Sequence, residues 1–239
     1  MHVEWNGGEI GRGGQVVIGR RQQFLEVAVF LFLVLPSMAL AFLSFTPDEL
    51  SFSVVALANI LRDLSLLCLV LYFVWRNGEG FAAVGWRFQG TWREVVVGIW
   101  LFLPIYVVTA LVGGMLREAG FSAPEELPAF LMPHGAGEYL LALVFLVVVA
   151  VAEETIFRGY LMLRFRAITG NLTATVLLSS LIFSVGHGYQ GAAGVLTVGL
   201  LGVIFALVYL WRGSLVAPVV MHFLQNFVGI ILVPLFGSD

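Results

Sequence analysis

The chain reads as all-α, a polytopic transmembrane helix bundle of about seven spans, and three observations predict it. Of 239 residues, 60% are hydrophobic and only 11% are charged, which lies outside the range of a soluble domain. The apolar residues gather into seven stretches, roughly 24–45, 50–75, 94–116, 138–164, 172–187, 191–211 and 214–236, each to be set against the ~20 residues a helix needs to cross a bilayer core. The loops between them alternate in charge. Arg12, Arg20, Arg21, Arg76, Arg87, Arg93, Arg164, Arg166 and Arg212 fall on one side; Asp48, Glu49, Glu118, Glu125, Glu126 and Glu138 fall on the other with Arg117. By the positive-inside rule the amino terminus is cytoplasmic and the carboxyl terminus external, in a plasma (inner) membrane.

Taken in order, residues 1–22 are glycine-rich and aperiodic and read as a flexible cytoplasmic tail. The first apolar run is too long for a signal-peptide core, and Pro36 within it is tolerated in a membrane helix. The second span carries Asn59, Arg62 and Asp63 at mid-depth, which reads as a buried arginine paired with a carboxylate or carbonyl of a neighbouring helix, or as a second polar site. Cys68, the only cysteine, reads as an inert packing residue. Between spans two and three, Phe81, Trp86, Phe88 and Trp92 alternate with glycines and arginines, as in a segment lying among headgroups.

The third span follows, with Pro104 and Gly113-Gly114. These residues, 23–137, are expected to flank a core at 138–239. His134 in the external loop reads as solvated. The fifth stretch has only 16 residues, or ~24 Å at 1.5 Å per residue, so one end is expected to stop inside the membrane. Asn171-Leu-Thr173 matches a glycosylation acceptor but faces the cytoplasm on this topology.

The chemistry concentrates in the fourth span, where Glu153, Glu154 and Arg158 interrupt near-continuous hydrocarbon. An ionisable group at that depth costs a few kcal/mol and is kept when paired or useful. Glu154 and Arg158 stand at i,i+4 on one face, as an ion pair would. Glu153 points ~100° away and needs partners from other helices. Two further i,i+4 pairs supply them: Phe183 with His187, and His222 with Asn226. Counted from the arginine side at 1.5 Å per residue, Glu153, His187, His222 and Asn226 lie ~20, ~24, ~15 and ~21 Å deep. A carboxylate, two imidazoles and an amide at one depth offer acid, base and hydrogen-bond donors together.

These three motifs, in this order on hydrophobic helices, resemble those of the CAAX-protease and bacteriocin-processing (CPBP, or Abi) family of intramembrane proteases. The resemblance covers about residues 138–236 and fills every signature position: Glu153, Glu154, Arg158, Phe183, His187, His222 and Asn226. It implies a four-helix catalytic core and hydrolysis of a peptide bond in a membrane-associated protein or peptide. Glu153 and His187 would hold and activate water, His222 and Asn226 would donate to the oxyanion, and Glu154, Arg158 and Phe183 would support them. Glu153→Gln and His187→Ala are each expected to abolish cleavage in a folded protein. The family is described both as metal-independent and as metalloproteases. The cofactor is therefore either none or zinc on Glu153, His187 and His222, although the spacing is not HExxH.

A non-hydrolytic scaffold or bacteriocin-immunity protein binding a peptide in the same cavity is the alternative. A proton-coupled transporter would show inverted repeats, and none is visible. Expected partners are a membrane-bound substrate and the bilayer, with no nucleic acid.

Overall fold

The computed structural model describes residues 9–10, 16–42, 51–124 and 128–236. Arg12, Asp48, Glu49, Glu125, Glu126 and most of the proposed amino-terminal tail lie outside these residues. Seven helices follow one another: α1 Arg20–Phe42, α2 Phe52–Arg76, α3 Thr91–Glu118, α4 Gly135–Thr169, α5 Leu172–Val185, α6 Gly191–Arg212 and α7 Val216–Phe236. The one departure among the described residues from an all-helical chain is a two-residue antiparallel pairing of Glu9–Ile10 with Val16–Val17. Five of the helices are long and apolar enough to cross a membrane, and α5 is the shorter apolar helix expected from its 16-residue stretch.

The helix boundaries follow local chemistry. Asn171 accepts from Ala174 N at the start of α5, so the would-be glycosylation asparagine is an N-cap. Gly170 and Gly213, both at positive φ, end α4 and α6, where a side chain would be strained. Along α4 the regular α pattern gives way at Thr155–Leu161 to a π-helical segment. Such wide turns recur at functional sites because they re-aim side chains without ending the helix.

Helix α2 runs parallel to α4. Near their starts Ser53 Oγ donates to Glu138 Oε1 at 2.6 Å; near their ends the rings of Phe73 and Tyr160 stack at 6.2 Å. Phe52, Ala56 and Ile60 of α2 pack on Ala142, Phe145, Leu146 and Val149 of α4, and Ile231 of α7 closes this cluster. A second cluster, further along, joins Val27, Phe30 and Val34 of α1 to Val70, Phe73 and Val74 of α2 and to Ile156, Phe157 and Tyr160 of α4. Helix α3 lies along α7 and α5 along α6. At Gly202 an added Cβ would sit 3.0 Å from Ser180 Cβ, so α5 and α6 approach through small residues, as membrane helices do.

At the arginine-rich end two polar knots tie the bundle. Glu26 of α1, only 3% exposed, accepts from Arg76, Asn77, Tyr160 and Arg164, and Arg164 also makes two hydrogen bonds to Glu79. Arg212 of α6 grips Glu94 of α3 through two hydrogen bonds, of 3.0 and 2.7 Å. Arg76, Arg164 and Arg212, which mark topology in the sequence, are thus also ties between helices.

Three local expectations are corrected. Arg62 is not the buried member of its pair: its side chain is 47% exposed, that of Asp63 4%, and they bond to each other within α2 at 2.9 Å. Adjacent residues point ~100° apart on a helix, so one faces inward and the other does not. Cys68 is exposed on the outside of α2 rather than packed. The 76–93 connection is only partly interfacial. Phe88 and Trp92 are exposed, but Val84 is fully buried and Trp86 Nε1 donates to Thr155 Oγ1 at 3.0 Å. A Cβ at Gly159 would fall 2.5 Å from Val84 O, so this connection is seated directly on the wide turn of α4.

Candidate active site

Glu153 and Glu154 are the last two residues before the π-helical segment of α4. Glu154 is fully buried; its Oε1 accepts from Arg158 Nη1 at 2.8 Å, the i,i+4 pair read from the spacing. The same oxygen meets His222 Nδ1 of α7, also at 2.8 Å. A carboxylate oxygen already holding a guanidinium is an acceptor, so Nδ1 carries the proton. The opposite ring nitrogen, Nε2, then faces Glu153 Oε2 at 3.7 Å. His222 thus stands between the two glutamates.

Phe183 of α5 is the apolar centre of the group. The Arg158 guanidinium lies 4.1 Å from its ring centroid, His187 packs at 4.9 Å and His222 edge-on at 6.0 Å. Helix α5 stops at Val185, and His187 sits just past its end with Nδ1 3.0 Å from Phe183 O. A carbonyl oxygen only accepts, so here too Nδ1 is the protonated nitrogen and Nε2 is the free, basic one. Asn226 lies one turn beyond His222, half-buried, and its side chain makes no hydrogen bond among the described residues.

Glu153 differs from Glu154 in being open. Its side chain keeps 13% exposure, yet Oε2 is buried without a hydrogen-bond partner among the described residues. Tyr189, whose ring lies 6.1 Å from that of His187, is also one wall of a cavity of about 420 Å³ whose lining includes none of the motif residues. Tyr106, Thr109, Arg117, Gln190 and Gln225 are among its lining residues.

Among the described residues no three His, Cys, Asp or Glu side chains converge on a point where a metal would sit. Glu153, His187 and His222 are thus not gathered into such a cluster, while the Nδ1 atoms of the two histidines bond Phe183 O and Glu154 and leave both Nε2 atoms free.

Residues 135–228 match the family model described as type II CAAX prenyl endopeptidase Rce1-like. The matched stretch is similar to that family's domain and spans less than half of the 239 residues. The stretch contains all seven motif residues and leaves α1, α2 and α3 outside it. No curated protein and no solved structure matches the chain. The family it resembles is one of endopeptidases, and the chain has five described helices long and apolar enough to cross a membrane.

The sequence did not reveal that Glu154 has two partners, or that Asp63 of α2 stands within electrostatic range of Glu153 and His222. A carboxylate inside an apolar span was the available signal for Asp63, and its burial decides what spacing left open.

Proposed function

We propose that this protein is an intramembrane endopeptidase in which Glu153 activates water for attack on a peptide bond of a membrane-associated protein or peptide. The observation that carries this reading is Glu153 itself. Inside the Rce1-like stretch, it is a carboxylate with a buried oxygen unpartnered among the described residues, open on one side and 3.7 Å from an imidazole nitrogen.

Glu153 removes a proton from water while His187 Nε2 accepts the other O–H, and the resulting hydroxide adds to the scissile carbonyl carbon. The negative charge moves to the carbonyl oxygen. Asn226 Nδ2 donates to that oxygen, and His222 Nε2 donates beside it if the imidazole enters the cycle with a second proton, held between Glu153 and Glu154 and kept through the reaction. Collapse breaks the C–N bond, and Glu153 returns its proton to the leaving amine. Glu154, Arg158 and Phe183 hold the two histidines in register. Arginine placement supports a cytoplasmic amino terminus and a plasma-membrane location.

Peptides released by wild-type cells but not by cells carrying Glu153→Gln test this reading. The expected result is a defined set that disappears in the variant while the protein still inserts at normal level. Identical sets would overturn proteolysis. Retained binding of a peptide by both forms, with no cleavage by either, would instead support a scaffold or immunity role.

A further inference from the structure

The Rce1-like match stops short of α2, yet α2 brings a carboxylate to the site. The buried stripe of α2 runs Phe52, Ala56, Ile60, then Asp63, before resuming at Val70 and Phe73. The facing stripe of α4 runs Ala142, Leu146, Val149, then Glu153, before resuming at Ile156 and Tyr160. The helices are parallel, so the two acids are matching interruptions of one apolar seam.

Asp63 is 2% exposed; Arg62 holds Oδ1, while Oδ2 is buried with no hydrogen-bond partner among the described residues. Glu153 Oε2 is in the same condition. Orphaned buried carboxylate oxygens are costly and need a donor. Arg62 is the one basic side chain adjoining Asp63 on α2; from α4 and α7, Glu153 and His222 lie within electrostatic range of it. A water molecule has two donors to offer two such acceptors, and it then presents its lone pairs elsewhere.

We infer that Asp63 is a second carboxylate for the reacting water, its Oδ2 sharing with His187 Nε2 the O–H that stays on the attacking oxygen, while Glu153 accepts the other O–H and takes that proton. This inference rests on the proteolytic reading above, and it adds to that reading a residue from outside the matched domain. Asp63 orients the water and is not consumed. The O–H it holds stays on the attacking hydroxide, and charge and proton balance are as already described.

Two measurements on the full-length protein test it. Asp63→Asn and Asp63→Glu are compared with wild type and Glu153→Gln for turnover on a peptide from the released set, alongside melting in detergent. Asp63→Asn is expected to lower kcat by about 10²-fold. KM should stay within about twofold and melting should be little changed, with partial rescue by Asp63→Glu. Near-normal kcat in Asp63→Asn, or a loss of kcat that follows a loss of folded protein, overturns the inference and leaves the proteolytic reading intact. If Glu153→Gln cleaves like wild type, the proteolytic reading itself fails, and the inference with it. An experimental density map is the second, activity-independent measurement. An ordered water shared by Asp63 and Glu153 is expected; apolar packing of Oδ2, or a side-chain donor to it, overturns the inference.

Discussion

His222 and Glu154 meet between α7 and α4 at 2.8 Å, Nδ1 to Oε1, on the same oxygen that Arg158 holds from one helical turn away. One buried carboxylate therefore fixes the tautomer and tilt of an imidazole and neutralises a guanidinium that is 1% exposed. In hydrocarbon surroundings each member of this trio depends on the other two, because an uncompensated charge there costs far more than the pair returns.

Glu154→Ala should accordingly destabilise the protein by about 3–5 kcal/mol, since it strands Arg158 and releases His222. Glu154→Gln keeps an acceptor and the side-chain volume and should melt between Ala and wild type. Equal melting of all three in detergent would contradict the trio.

Asn226 makes the opposite case. With no hydrogen bond among the described residues it holds nothing together, so Asn226→Ala should leave melting within about 0.5 kcal/mol of wild type. If it donates to the oxyanion, kcat should still fall by about 10²–10³-fold. Steady-state cleavage with a parallel melt separates the two effects.

Glu26 gathers four donors from α2 and α4 onto α1. Removing it by Glu26→Ala leaves Arg164 with Glu79 alone, and a loss of about 1–3 kcal/mol is expected. Activity per folded molecule should not change. A variant that melts normally but cleaves poorly would show that this knot does more than tie helices.

Gly159→Ala should cost about 1–3 kcal/mol, because the new methyl meets a backbone oxygen at 2.5 Å that cannot swing aside. Gly114→Ala, with nothing within 4 Å of the added carbon, should be neutral or mildly stabilising. The pair serves as its own control in a melting assay.

Much of the fold was legible because a membrane helix must be a long apolar run, and seven such runs are plain along the chain. The pairing of Glu154 with Arg158, a contact within one helix, was legible from spacing. Contacts that join distant parts of the chain were not. His222 reaches Glu154 across 68 residues and Arg164 reaches Glu26 across 138, and no local pattern encodes either. At Arg62-Asp63 spacing left the facing undecided, since turning the helix by one residue exchanges which side chain is buried. The wide turn at Thr155–Leu161 escaped notice because its composition is that of an ordinary helix.

His187 stands where α5 gives out. Its backbone N–H donates to Ser184 O and its ring Nδ1–H to Phe183 O, so the residue also finishes off a helix that ends short. Swapping in alanine at 187 therefore takes the ring donor from a main-chain oxygen, a penalty of about 1–3 kcal/mol before any chemistry is lost. An inactive His187→Ala protein would leave folding and catalysis tangled together. A replacement able to keep the ring's bond to that oxygen, such as asparagine or glutamine, would separate the histidine's duty as a plug from its duty as a base.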